Sequence, residues 1–302
     1  MALLWIPVTI AAAFLQNLRS ALQKAIKGRL STTGAAYVRF FYAWPFAVFY
    51  VAVLYWGVGY DLPTPNAAFF MYCLLGGVSQ ILFTVVLLWM FSFRSFAVGT
   101  TFSKLEVILV AVLGSILLGD TVGPLAVLAI VVGSAGIVLL SLQETKMTPG
   151  GLVRGLRERA TWIGLLCAAL LGASSVFFRG AALALDGPDF IMAAGYALVV
   201  ALVLQTLIMG AWFVMMDRPQ LDAVIREWRR ALPIGFVGMA TSVCWFTAFT
   251  LQNAAYVRAL GQVELLFTYA ATVFVFREAI SRYEVIGTLL IAAGIVLILL
   301  AS

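Results

Sequence analysis

The chain has 302 residues, 64% of them hydrophobic and 11% charged, with a mean hydropathy of +1.07 and a formal net charge of +6. A soluble domain is about half apolar and roughly a quarter charged, so this composition excludes one and predicts an all-α integral membrane protein. Histidine is absent, and no glycine-rich loop precedes a Lys-Ser or Lys-Thr pair; metal centres, cofactors, Ser-His-Asp catalysis and an ATP motor are therefore not expected.

A spanning helix takes about 20 apolar residues. Ten such stretches lie between short polar breaks, at 3–23, 34–56, 69–91, 97–118, 123–142, 161–185, 190–216, 232–251, 256–276 and 282–301. The start Met1-Ala2-Leu3-Leu4-Trp5 lacks a basic leader, and Lys24, Lys27 and Arg29 follow the first apolar stretch. It reads as a retained span, not a cleaved signal. Gln16, Arg19, Ser20, Gln23 and Lys27 fall at helical spacing and form one polar stripe on that span, a candidate entrance lining. The second span carries Arg39. The planar fork of Arg19 suits a carboxylate or phosphate, but snorkelling to the interface is the favoured reading for Arg19 and more strongly for Arg39.

The fourth span carries Lys104 and Glu106, and the acid lies about ten residues in, near mid-membrane at about 1.5 Å per residue. Gly99, Ser103, Val110 and Gly114 share its face, a small surface suited to close helix contact or a cavity lining. Lys104 is nearly opposite on the helix, so the two do not form a simple intrahelical pair. Residues 144–160, with Pro149-Gly150-Gly151, form a basic linker between a first five-span half, 1–143, and a second, 161–302. In the sixth span Ser175 and Arg179 repeat the polar stripe in thinner form, and snorkelling is again favoured for Arg179. Trp245 in the eighth span, with Trp89 and Tyr269, is a candidate for stacking on an organic cation. The ninth span carries Arg258, read as snorkelling, then Gln262 and Glu264, with Gly261, Thr268 and Thr272 on the face of Glu264. The three cysteines, Cys73, Cys167 and Cys244, lie inside spans with no metal-ligand spacing and read as packing residues.

Most of the 19 Lys and Arg fall in alternate loops, among them Lys24 to Arg29, Lys146 to Arg159, Arg218 to Arg230, and Arg277 with Arg282. This positive-inside pattern places those loops in the cytoplasm and both termini outside, and it assigns the positive charge to topology, leaving nucleic acid out as a partner.

Residues 97–140 and 255–298 read as two copies of one unit at a constant shift of 158 residues. Glu106 pairs with Glu264, Asp120 with Glu278, and Ala135-Gly136-Ile137-Val138-Leu139 with Ala293-Gly294-Ile295-Val296-Leu297. Five spans precede the linker. Because five is odd, the second copy enters the membrane the other way up, which predicts two inverted five-helix repeats, a plan that recurs in secondary transporters. An ionised group in mid-membrane costs about 2.5 to 3.5 kcal/mol on insertion scales. Glu106 and Glu264 are therefore the leading candidates to bind a cationic substrate group or carry a coupling proton; their structural alternative is to pin the two halves together.

Each half ends in an acid after an apolar helix, Leu117-Leu118-Gly119-Asp120 and Val275-Phe276-Arg277-Glu278, followed by an Ala-Gly-Ile-Val-Leu stretch. In this the chain resembles the EamA-type drug/metabolite transporter superfamily over nearly its whole length. The resemblance implies ten helices around a central cavity, alternating access, and carriage of small organic metabolites, often outward across the bacterial inner membrane. It also implies cytoplasmic termini, against the charge pattern. The family's usual fourth-span proline is absent; Glu106 and Glu264 stand in that neighbourhood. Asp120 and Glu278 are expected to cap the helix that follows each.

The reading is a multi-pass secondary transporter, not an enzyme, exporting a small amphipathic or zwitterionic solute. Glu106 and Glu264 form its site, and Lys104, Arg19, Arg179, Gln16, Gln262 and Trp245 are candidates to contribute. Its partners are the substrate and the bilayer, with protons as candidate coupling ion and a second copy of the chain as candidate oligomer partner. The alternatives are a lipid flippase, a membrane-embedded transferase using Glu106 or Glu264 as base, and a sensor that keeps the fold.

Overall fold

The computed structural model describes residues 3–26, 29–90, 102–103, 105–144, 159–186, 189–271 and 282–302. These residues form helices and no strands; one isolated bridge joins Thr64 to Asp186. In chain order the helices are α1 (Trp5–Ile26), α2 (Thr32–Phe41), α3 (Trp44–Ala52) with a π-helical turn at Val53–Val58, α4 (Ala67–Met90), α5 (Glu106–Leu118) and α6 (Pro124–Glu144). They continue as α7 (Arg159–Leu183), α8 (Phe190–Met216), a surface helix α9 (Arg218–Arg226), α10 (Trp228–Leu251), α11 (Ala254–Gly261), α12 (Val263–Ala271) and α13 (Arg282–Leu300). Among the described residues six segments are long and apolar enough to cross a membrane: Thr32–Val58, Ala67–Leu87, Arg159–Leu183, Phe190–Met216, Trp228–Leu251 and Tyr283–Leu300. Lipid-compatible surface follows from the same composition, with Trp56, Ile116, Trp162, Leu207 and Leu300 all largely exposed.

The local chemistry explains where the helices begin and stop. Ser31, Asp189, Asp217 and Asn253 each accept a bond from a first-turn amide of α2, α8, α9 and α11. Pro124 opens α6, where its missing N–H is no loss. Two helical runs end on a glycine in the left-handed region, Gly59 at φ 84° and Gly119 at φ 69°. In each case the glycine N–H and the next one converge on a single carbonyl, Leu54 O and Gly114 O respectively. Asp120, expected to cap the next helix, directly follows the glycine that ends α5 and stands four residues ahead of Pro124, the first residue of α6. Its intended counterpart Glu278 lies outside the described residues.

The chain packs as two compact units, each drawing on both halves of the sequence: Met1–Ile81 with Phe177–Gln252, and Leu82–Val176 with Asn253–Ser302. In the first unit α1 lies along α10, and α2 and α3 lie along α8. Segments Thr32–Val58 and Phe190–Met216 have equal length and are offset by 158 residues at both ends, 32 to 190 and 58 to 216. They run antiparallel. The Tyr37 hydroxyl donates to Thr206 O at 3.2 Å and sits where a Cβ on Gly210 would stand, 2.7 Å away. At the other end Gly195 accepts Tyr50 and Val51, at 3.1 and 3.3 Å from its Cβ position. Under the 158 shift Tyr37 maps to Gly195, and each contact is the image of the other to within about two residues.

In the second unit the most extensive helix contact is α6 with α13. A Cβ on Gly136 would stand 2.6 Å from Gly287 O, and one on Gly294 would stand 2.9 Å from Ala129 O. Shifting 129 and 136 by 158 gives 287 and 294, so these contacts are again mutual images, and the helices are antiparallel. Small residues let two backbones meet without any polar glue, the usual device between helices in lipid.

Candidate functional site

In the second unit the ninth-span region is not one straight helix. α11 ends at Gly261, Gln262 makes a tightened turn, and α12 begins at Val263. Gln262 N bonds Ala259 O at 3.3 Å and Leu265 N bonds Gln262 O at 2.9 Å, both three-residue steps where an α-helix takes four. The same step occurs ahead of α5: Leu105 N bonds Phe102 O at 3.1 Å and Ile108 N bonds Leu105 O at 3.2 Å. Leu105 and Gln262 are thus matched breaks, one residue from the 158 register. Each break is followed within two residues by an acid in the first helical turn, Glu106 and Glu264. A helix N-terminus offers unpaired amides to a carboxylate, which favours an acid there.

Glu106 is 8% exposed and forms an ion pair with Arg258 of α11. Both side chains are mostly buried. Gln262 Nε2 donates to Arg258 O at 3.4 Å, so Glu106, Arg258 and Gln262 make one cluster. Snorkelling by Arg258 is thereby overturned: its partner is an acid 152 residues away, which no local spacing reveals. Val110 and Gly114, on the Glu106 face, are buried, and Gly172 of α7 packs there with its Cβ position 3.2 Å from Val110 Cγ2. The small face serves close helix contact at this point. Glu264 is half-buried. Beside the cluster Gln262 and Ser134 line a small, partly open space of ≈ 10 Å³ together with apolar residues that include those of α6 and α13. Leu105 and Ser134 also border an open apolar cleft of ≈ 340 Å³. Lys104 lies outside the described residues.

In the first unit the structure joins Gln16 to Trp245, whose indole Nε1 donates to Gln16 Oε1 at 3.1 Å and whose ring stacks on Phe249. Arg19, three residues on, is 8% exposed, which makes it a buried residue rather than a snorkelling one. The polar stripe divides: Gln23 Nε2 bonds Ala35 O at 3.0 Å, Ser20 is exposed, and Lys27 lies outside the described residues. Arg179 neither snorkels nor stands open to a solute at one end: its Nη1 donates to Phe249 O and Gln252 O, both at 2.6 Å, closing the carbonyl end of α10. Trp89, expected in the core, is 56% exposed. Cys73, Cys167 and Cys244 are free thiols within helices, as packing residues would be.

Residues 159–300 match the EamA-like transporter family. The match covers the second half of the chain and supports reading the protein as a multi-pass membrane transporter similar to the EamA-type drug/metabolite transporters. A solved structure described only as the crystal structure of a protein is similar over 98% of this chain and 97% of that one, with a TM-score of 0.70 and 18% identity, a likeness of fold. No curated protein matches the chain.

Proposed function

We propose that the protein is a ten-helix secondary transporter of two inverted five-helix repeats, exporting a small zwitterionic or amphipathic organic solute by alternating access with proton exchange. The observation that carries the reading is the buried Glu106–Arg258 pair beside a broken helix. Broken helices at substrate sites recur in transporters. A buried ion pair is costly to desolvate and worse to break, because either partner alone is left uncompensated. A zwitterion removes that penalty: its ammonium takes Glu106 as its carboxylate takes Arg258. A proton on Glu106 breaks the pair from the acid side and occupies the group that the ammonium would take, so proton and solute compete for one group, the requirement for exchange. Gln262, bonded to the Arg258 carbonyl, holds the cation's backbone in place.

The inverted plan is supported by the two antiparallel image pairs, α6 with α13 and 32–58 with 190–216. Ten-span alternation is supported by three loop contacts, each joining loops that such a path puts on one side: Arg29 with Glu227, Thr64 with Asp186, and Asn253 with Thr121. The basic loops then favour cytoplasmic placement in a bacterial inner membrane.

The test is solute-triggered proton flux in proteoliposomes, read with a trapped pH dye across amino acids and amphipathic cations. Wild type is expected to respond to zwitterions, and Glu106→Gln and Arg258→Gln to lose the response. Unchanged flux in both variants would sink the assignment. The open cleft beside Leu105 favours one second reading, lipid transport, which a labelled-lipid flux assay would detect in the same vesicles.

A further inference from the structure

Another polar cluster lies inside the first unit. Four spans bring Arg39, Gln80, Gln205 and Ser242 to one small, partly open cavity of ≈ 20 Å³, walled mainly by aromatic and aliphatic side chains. Gln80, Gln205 and Ser242 sit near the middle of their spans, Ala67–Leu87, Phe190–Met216 and Trp228–Leu251. Gln205 is 1% exposed and donates through Nε2 to Gln80 Oε1 at 2.8 Å. Among the described residues the Arg39 guanidinium makes no ion pair and no hydrogen bond; it lies 4.9 Å from the Phe40 ring centroid. The Ser242 hydroxyl likewise has no bonding partner among the described residues. Arg19 reaches the same place on α10 as Arg39. Gly238 permits the approach, since its Cβ position is 3.6 Å from Arg19 Cδ and 3.7 Å from Arg39 O.

A guanidinium keeps its charge under all ordinary conditions. Within a bilayer such a charge faces protein or water and needs a compensating partner. The cavity has room for about one water-sized occupant. Water would satisfy hydrogen bonds but leave the charge, and the second cation makes that charge harder to hold. A monovalent anion satisfies both, and the cavity offers it one charged donor, a hydroxyl and an amide pair within apolar walls that strengthen each interaction.

We propose that this cavity binds a small anionic group, a halide or a single carboxylate, held by Arg39 with Ser242 and the Gln80–Gln205 amides around it. The occupant has two sources of the same chemistry, a free anion or the carboxylate end of a transported solute.

The experiment is thermal unfolding of the purified full-length protein, followed by tryptophan fluorescence at constant ionic strength, with chloride, bromide or formate against the bulky gluconate. A saturable rise of about 5 °C at a hundredfold excess over Kd is expected with the small anions and not with gluconate. Arg39→Gln should abolish the rise, and Ser242→Ala should weaken it at least severalfold in apparent Kd. Equal unfolding temperatures in all four salts would overturn the proposal. So would an undiminished anion response in Arg39→Gln or, if that variant does not fold, in Ser242→Ala combined with Gln205→Leu. Displacement of bromide by amino acids but not by their methyl esters assigns the site to a solute carboxylate, whereas bromide binding that amino acids leave untouched assigns it to a free anion; either upholds an anion site. The readout needs no transport, so its failure is separate from failure of the carrier reading.

Discussion

Glu106 and Arg258 illustrate how a single side chain gains its meaning from a partner far away in sequence. Replacing either one alone leaves a buried charge uncompensated, a loss of about 3 to 5 kcal/mol, whereas replacing both with methionine is expected to restore most of that stability while leaving transport dead. Thermal unfolding of the two single variants and Glu106→Met/Arg258→Met, alongside vesicle flux, checks both halves of that expectation; additive losses would show that the groups do not interact. Outside the spans, Glu227 bonds Arg230 at 2.8 Å and lies 3.5 Å from Arg29. The hydrogen bond from Arg230, aided by the charge of both arginines, holds its carboxyl below the usual carboxylate range. A lowered folded value means that the contribution is complete above the ordinary value and is lost as pH falls through the lowered one. The unfolding temperature of wild type should therefore exceed that of Glu227→Gln at pH 7, and the gap should close as the pH drops below about 4.5. A gap that widens in acid would contradict it. Of these residues, Glu106 stood out in sequence as an acid in an apolar run; Arg258 did not, because an arginine six residues from Glu264 has no local pattern linking it to residue 106.

At the scale of helices, glycine decides which surfaces meet. Gly136 lies on α6 where its Cβ position is 2.6 Å from Gly287 O, whereas Gly133, one turn away, has nothing within 4 Å of its Cβ position. Gly136→Ala should therefore destabilise the protein by about 1 to 3 kcal/mol through forced separation of two backbones. Gly133→Ala is expected to be neutral or slightly stabilising, by helix propensity. Comparing unfolding temperatures of the two variants tests the crossing point; equal effects would mean that the helices do not touch there. The repeat of Ala-Gly-Ile-Val-Leu at a fixed shift announced that these helices are related. It did not announce that they are each other's partner, since small residues favour close contact with any helix. Likewise the break at Gln262 leaves no proline behind; its mark in sequence is only the weak helix former Gly261 beside it.

For the whole molecule, the proposed alternation of ten spans would put Thr64 and Arg226, both exposed, on opposite faces of the membrane. With Cys73, Cys167 and Cys244 replaced, Thr64→Cys should react with a membrane-impermeant maleimide in intact cells, and Arg226→Cys only after permeabilisation. Reaction of both from outside would refute the alternation, and the reverse pattern would place the termini in the cytoplasm. The sequence by itself indicated the class of the protein: its apolar runs mark a membrane chain, while the loop charges and the 158-residue shift gave an orientation and a kinship of the halves as expectations. These are properties of composition and period, which act locally along a chain. Only the tertiary structure decided that the packed units interleave the two halves, that Arg258 answers Glu106, that Arg179 closes α10, and that Arg39, Gln80, Gln205 and Ser242 share one cavity. The physical reason is that every one of these depends on which helix face meets which across a hundred or more residues, and in lipid that choice is made by backbone fit and the pairing of rare polar groups rather than by hydrophobicity, which is nearly uniform along the spans.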